Sequence, residues 1–274
     1  MNKHYFYLDM DSHHLLVPYL GEKRRVRVLL PKDYHKDSKR TYPVVYMHDG
    51  QNVFYSKEAF TGYSWKVIPT IKKNPDIPRM IIVGIDNHIS RMEEYGPWRF
   101  SNVINPADLN MGGKGLEYSE FVMDVVKPFI DKTYRTKPDK KHTAMIGSSL
   151  GGNITQFMGV LYKDRIGGLG VFSSANWLNH AEFDRFIKRH KLDSEQRVYI
   201  QVGTEEGDET DASLTAGNIR QFYLNESLHY FRQLLEGGLP LDQLKINVVA
   251  GAVHHEHIWA TYLPECLRFL SEDW

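Results

Sequence analysis

The chain has 274 residues, of which 42% are hydrophobic and 25% charged; this is enough for one large α/β unit or two small ones with a full core. Lysine plus arginine balance aspartate plus glutamate at 34 each, so there is no net positive field to draw phosphate backbones or anionic lipid, which argues against nucleic-acid and membrane-surface partners. The one cysteine, Cys266, cannot pair within the chain, so the fold does not depend on an oxidising compartment. Behind Lys3 there is no apolar run of the signal-peptide kind, and no stretch reaches spanning length, so the expectation is a cytoplasmic protein.

Apolar runs alternate with amphipathic segments from residue 26 onward, the pattern of strands joined by crossover helices. In chain order the predicted strands are Val26-Arg27-Val28-Leu29-Leu30, closed by Pro31, then Val44-Val45-Tyr46-Met47, then Met80-Ile81-Ile82-Val83-Gly84-Ile85. Thr143-Ala144-Met145-Ile146, Gly168-Leu169-Gly170-Val171-Phe172, Val198-Tyr199-Ile200-Gln201-Val202 and Lys245-Ile246-Asn247-Val248-Val249 complete the set. Several runs are unbroken rather than alternating, which suits parallel strands covered on both faces. Phe121, Val125, Phe129 and Ile130 predict a helix that Pro128 should kink. Two further helices are predicted, over 218–235 and from about 258 to 270. The stretch from Asp86 to Gly115 is too long for a plain connection and predicts a pocket wall or partial lid, with Tyr95, Trp98 and Phe100 as its aromatic candidates. No linker or repeat divides the chain, so residues 1–274 are expected to form one mostly parallel α/β domain with helices on both faces of the sheet.

The fourth strand runs straight into Gly147-Ser148-Ser149-Leu150-Gly151-Gly152, with a helical pattern behind it. This is G-x-S-x-G in the strand–turn–helix context that gives the motif chemical meaning: a strained turn holds the serine at a helix N-terminus, where the dipole favours an oxyanion. Spacing chooses between the two serines. Ser149 has glycines two places before and after it, whereas Ser148 has Ile146 and Leu150.

A serine hydroxyl needs a base, and His254-His255-Glu256-His257 follows the last predicted strand. His254 stands nearest the strand end; spacing alone leaves His255 and His257 open. A zinc-protease pattern fails, because H-E-x-x-H would need a second histidine where Trp259 stands, and neither a metal nor an organic cofactor is implied. The acid that orients the histidine should follow the sixth strand, where Glu205, Glu206 and Asp208 all qualify. Two backbone N–H groups should receive the oxyanion: that of Leu150, and one from Gly50 or Gln51 in the loop after the second strand.

Taken together, five ordered segments resemble the esterases of the α/β-hydrolase superfamily that include esterase D and the enterochelin esterases. They are His48-Asp49-Gly50-Gln51-Asn52-Val53-Phe54, Val83-Gly84-Ile85-Asp86-Asn87 with Arg91, Glu94 and Tyr95, Pro128 to Thr136, Gly147 to Gly152, and His254 to Trp259 leading to Leu263-Pro264. The resemblance spans about Arg24 to Leu270 and implies an α/β-hydrolase fold acting as a serine esterase on a small-molecule ester. Its histidine stands five residues before a tryptophan, which implies His254 before Trp259. Its acid stands two places after Gly-Thr, which implies Glu206, with Asp208 the alternative because many members use aspartate. Phe172 to Trp177 resembles a loop whose aromatic lines the pocket, which makes Trp177 a substrate-contact candidate beside Tyr95 and Trp98. The same machinery also serves thioesterases, S-formylglutathione hydrolases and acyltransferases, and a hydrolase scaffold can become a catalytically silent binding protein.

Overall fold

The computed structural model describes residues 9–207 and 209–274, with the backbone alone at 106, 209 and 210. Eight strands form one sheet: β1 (Met10–Val17), β2 (Glu22–Leu29), β3 (Val44–Met47), β4 (Ile81–Ile85), β5 (Thr143–Ser148), β6 (Gly168–Phe172), β7 (Arg197–Glu205) and β8 (Leu244–Val253). Their order across the sheet is β1-β2-β4-β3-β5-β6-β7-β8. The β1–β2 and β2–β4 pairs are antiparallel, and every pair from β4 through β8 is parallel. The helices are α1 (Val67–Lys73), α2 (Arg91–Tyr95), α3 (Gly115–Glu120), α4 (Lys127–Thr133), α5 (Leu150–Leu161), α6 (His180–His190), α7 (Glu209–Leu214), α8 (Ile219–Glu236) and α9 (Glu256–Leu270).

The unbroken apolar strands divide by pleat into two cores. Val45, Met47, Ile82, Ala144 and Ile146 face a core shared with Val67 and Ile71 of α1 and with Leu263, Cys266 and Leu270 of α9. Val44, Tyr46, Ile81, Val83 and Met145 face the other, which includes Ile130 of α4, Ile154 and Met158 of α5, Phe183 of α6 and Leu234 of α8. Each fully buried aliphatic side chain contributes about 1.5–3 kcal/mol relative to exposure, so both faces need their helices. Burial pushes the Cys266 thiol well above its usual value, in keeping with a packing role.

All seven predicted strands are present, and β1 is added to them. β1 carries Asp11, Ser12, His13 and His14 at the sheet edge, where polar side chains blunt an exposed strand. Its place is held by register with β2 and by Tyr134, whose hydroxyl bonds Asp11 at 2.8 Å and lies 2.6 Å from His13 Nε2. The kink expected at Pro128 takes the form of a π-helical stretch, Phe121–Val126, between α3 and α4. Proline has no N–H to donate back into that turn, and a wider turn accommodates the gap.

The bend between β5 and α5 allows no side chain at 147. A Cβ built there would lie 2.3 Å from the Gly151 carbonyl oxygen and 2.5 Å from its carbon. Gly147→Ala is therefore expected to cost roughly 1–3 kcal/mol through overpacking, read as a lowered midpoint in thermal denaturation. An unchanged midpoint would mean that the strand and helix do not cross as closely as described.

Candidate active site

Ser149 is the residue between β5 and α5, and its backbone sits at φ 58, ψ −128, a region that a non-glycine residue occupies only under constraint. Backbone hydrogen bonds hold it there. Its N–H donates to the Phe172 carbonyl at 2.9 Å, and its own carbonyl accepts from Gly152 N at 2.9 Å and Asn153 N at 3.2 Å. Leu150 opens α5, so its N–H belongs to the first turn, which has no acceptor within the helix.

At the far ends of β7 and β8 a buried carboxylate meets an imidazole. Glu206 is 1% exposed; its Oε2 lies 2.6 Å from His254 Nδ1, and its Oε1 accepts from Ser173 Oγ at 2.6 Å and Gly203 N at 2.7 Å. Burial alone would raise the Glu206 carboxyl, but the hydrogen bond and charge of His254, then Ser173 and Gly203, hold it below the usual carboxylate range. An ionised carboxylate only accepts, so His254 Nδ1 carries the proton and Nε2 is left as the basic nitrogen. The ring is also held on two sides. Trp259 meets it edge-on at 5.1 Å, and Tyr223 packs at 4.7 Å. Trp259 Nε1 donates to Ser173 Oγ at 3.0 Å, so the His-x4-Trp spacing joins the imidazole to the group that orients its carboxylate.

The other candidates from these segments fall elsewhere. Glu205 pairs with Arg220 at the surface, and Asp208 lies outside the described residues. His255 and His257 are neighbours, their rings 4.6 Å apart, and neither lines the cleft that holds His254.

That cleft has a volume of about 390 Å³, and Ser149, Leu150, His254, Gln51, Arg91 and Trp259 all line it. Gly50 does not. It packs against β4, where an added Cβ would sit 2.7 Å from both Asp86 Oδ1 and the Gly84 carbonyl carbon. Of the two loop candidates, Gln51 is the one at the cleft wall. The loop turns at Asp49, in the left-handed region at φ 55. Arg91 grips the Asp49 carboxylate with both arms, at 2.7 and 2.9 Å, and Asn87 joins Asp49 to Gln51. Burial raises the Asp49 carboxyl, yet the charge and hydrogen bond of Arg91, then Asn87, bring it below its ordinary value. Beneath this loop His48 is buried and bonded to Tyr118 at 2.8 Å, and desolvation pushes its pKa down to about 4, so it stays neutral.

The structure does not bring the three aromatic candidates to the cleft. Tyr95 is fully buried, and its hydroxyl accepts from Asp49 N at 3.1 Å, so it supports the loop from behind. Trp98 packs edge-on against Phe157, Phe183 and Phe186. Trp177 is 1% exposed, against Phe222 and Tyr223, and borders a separate depression of about 670 Å³. Phe100 is buried too. Large rings near the site are needed to fill the core, and the cleft wall goes instead to Asn87, His88, Arg91 and Met92 at the start of the long segment. Sequence reasoning missed Ser173, whose φ of 44 marks a constrained position, and Glu256, a buried wall residue bonded to Thr61 at 2.7 Å. Nothing in their local sequence distinguishes either from an ordinary polar residue.

Residues 18–270 match the family described as Putative esterase. The chain belongs to that family. It is an esterase, a hydrolase of carboxylic esters. It is 27% identical over 247 residues to YbbA of Bacillus subtilis (strain 168), described as an uncharacterized protein, covering 90% of this chain and 92% of that one. Among solved structures it resembles an IroE-like serine hydrolase from Shewanella oneidensis, with TM-score 0.76 at 18% identity over 97% of this chain and 81% of the other. It also resembles the enterobactin esterase FES from Shigella flexneri, crystallised in the presence of enterobactin, with TM-score 0.72 at 16% identity over 97% of this chain and 59% of the other. The architecture shared with the serine hydrolase is the α/β-hydrolase fold. Among the described residues no helix is long and apolar enough to cross a membrane, and no group of three or more His, Cys, Asp or Glu side chains could hold a metal ion.

The esterase's cleft loop rests on the Asp49–Arg91 pair, whose side chains are 6% and 26% exposed. Removing the cation alone would leave a buried carboxylate uncompensated, so Arg91→Met should cost about 3–5 kcal/mol in urea denaturation at pH 7. A variant as stable as the parent would show that the pair does not hold the loop.

Proposed function

We propose that this esterase cleaves a small-molecule ester through an acyl-enzyme on Ser149, with His254 as general base and Glu206 as the acid that orients it. The observation that carries the reading is the buried Glu206–His254 bond at 2.6 Å, on a histidine that lines the same cleft as Ser149. His254 Nε2 takes the Ser149 proton as Oγ attacks the ester carbonyl. The oxyanion so formed receives the N–H of Leu150, at the N-terminus of α5 whose dipole favours negative charge, and that of Gln51, in the turn after β3. Collapse of the tetrahedral intermediate breaks the bond to the leaving oxygen, which takes the proton from His254. Water then attacks the acyl carbon and gives a proton to the same nitrogen; collapse of this second intermediate breaks the bond to Ser149 Oγ, which takes that proton back as the acid leaves. All these groups hang on one sheet, so the chain acts as one domain, and a cleft of about 390 Å³ suits a compact substrate.

Ser149→Ala should lower kcat on a p-nitrophenyl ester on the order of 10³- to 10⁶-fold and abolish fluorophosphonate labelling. Retention of most activity would overturn the assignment of the nucleophile. Glu206→Gln keeps the shape but not the charge, and kcat should fall about 10³- to 10⁴-fold with folding preserved at neutral pH.

The same carboxylate sets a pH signature on stability. Its folded pKa lies below the unfolded value of about 4.3, so its contribution is complete above that value and is lost as pH falls through the folded pKa. The stability gap between wild type and Glu206→Gln in urea titrations should therefore narrow on acidification. A gap constant from pH 7 to pH 3 would contradict an ionised, paired Glu206.

A further inference from the structure

We propose that Tyr223 is a positioning residue of this site: its ring fixes the His254 imidazole, and its hydroxyl latches α7 over the cleft through Asp211. The proposal rests on the reading of Ser149 and His254 given above. Tyr223 projects from α8 and is fully buried, with its ring centroid 4.7 Å from that of His254 at 44°. A phenol so placed must find a partner for its O–H, because an unsatisfied buried donor costs more than the bond itself returns. Its partner is the Asp211 carboxylate, both oxygens of which lie 3.1 Å away.

Asp211 belongs to α7, a helix of six residues that contributes both Asp211 and Leu214 to the cleft wall. So short a helix has little stability of its own. On its N-terminal side stands Gly207 at φ 93, immediately after the proposed acid Glu206. On its C-terminal side stands Gly217, where an added Cβ would meet the Phe222 ring at 2.0 Å. Contacts that hold the helix down include the packing of Leu214 in the core, its carbonyl, which accepts from Ile104 N at 2.9 Å, and the Tyr223–Asp211 bond. The segment that carries the acid thus continues directly into the cap, and Tyr223 joins the cap to the histidine.

The chemistry of the phenol fits positioning rather than proton transfer. Desolvation, then the charges of the Asp211 and Glu206 carboxylates, push it well above its usual value. It therefore remains a neutral donor to Asp211. A carboxylate in the wall of a cleft would oppose an oxyanion formed there, and a fixed hydrogen bond to the phenol restrains the direction in which Asp211 can move.

The test uses the full chain and two variants that each remove the bond, Tyr223→Phe and Asp211→Ala, with a p-nitrophenyl ester. Each should lower kcat on the order of 10- to 100-fold, the scale of a misplaced catalytic group, with KM within about twofold and fluorophosphonate labelling of Ser149 retained. The double variant should lose no more than either single one, because both remove the same bond. Wild-type kcat in Asp211→Ala, or losses that multiply in the double variant, would overturn the proposal. Asp211→Ala decides alone if Tyr223→Phe melts markedly lower. Failure of the wild-type protein to label at Ser149 would overturn the triad reading and this proposal together, whereas normal labelling with unaffected variants overturns only this one.

Discussion

The arrangement at the cleft depends on a negative charge held out of water. Glu206 is 1% exposed and accepts from His254, Ser173 and Gly203. An ionised carboxylate in such a place is tolerable only when its lone pairs are occupied, and removing one donor leaves a penalty of several kcal/mol. The three donors come from separate elements: the end of β6, the end of β7 and the turn after β8. Satisfying one carboxylate therefore draws three strand ends into register. It also fixes the tautomer of His254, so a requirement of stability and, in the proposed mechanism, a requirement of acid–base chemistry are met by the same bonds.

A second constraint stands across the cleft. Ser149 can keep φ 58 only because its neighbours over-determine it, through Phe172 on one side and the first turn of α5 on the other. Gly152 adds to this, since a Cβ there would lie 2.9 Å from Ser174 Cβ. The Phe172 to Ser174 segment thus takes part in both constraints. Its backbone and Ser174 hold the serine turn, while Ser173 Oγ links Glu206 to the Trp259 indole. Strain at one residue and buried charge at another are stabilised by one short stretch of chain after β6.

These features were unequally legible in the sequence. The inner strands showed because both-face burial demands long apolar runs, and Gly147 showed because the bend leaves no room for a side chain there. β1 was hidden because an edge strand needs no apolar run, and its pairing with β2 comes from tertiary register. Ser173 and Tyr223 were hidden for a related reason. Each acts on a residue far along the chain, Ser173 on Glu206 and Tyr223 on His254, and no local pattern records such a meeting. The aromatic candidates Tyr95, Trp98 and Trp177 misled in the opposite direction. The long loop suggested a pocket for Tyr95 and Trp98, and the likeness of the segment after Phe172 suggested one for Trp177, but large rings bring most of their area to the core: Tyr95 and Trp177 are buried, and Trp98 packs partly buried against the core.

The loop at Asp49 shows how the two sides of the cleft differ electrostatically. Arg91 could have presented a full positive charge to the substrate, but Asp49 takes both arms of its guanidinium and largely cancels that charge within the wall. In the proposed mechanism what remains for an oxyanion is the Leu150 N–H at the start of α5 and the Gln51 N–H in the turn after β3, donors fixed by backbone geometry. Fixed dipoles need not reorganise as charge develops, whereas a mobile cation would first have to move. The Arg91–Asp49–Asn87–Gln51 chain is best understood in that light. Its charges neutralise each other, and in the proposed mechanism what it contributes to the cleft is the placement of a neutral donor.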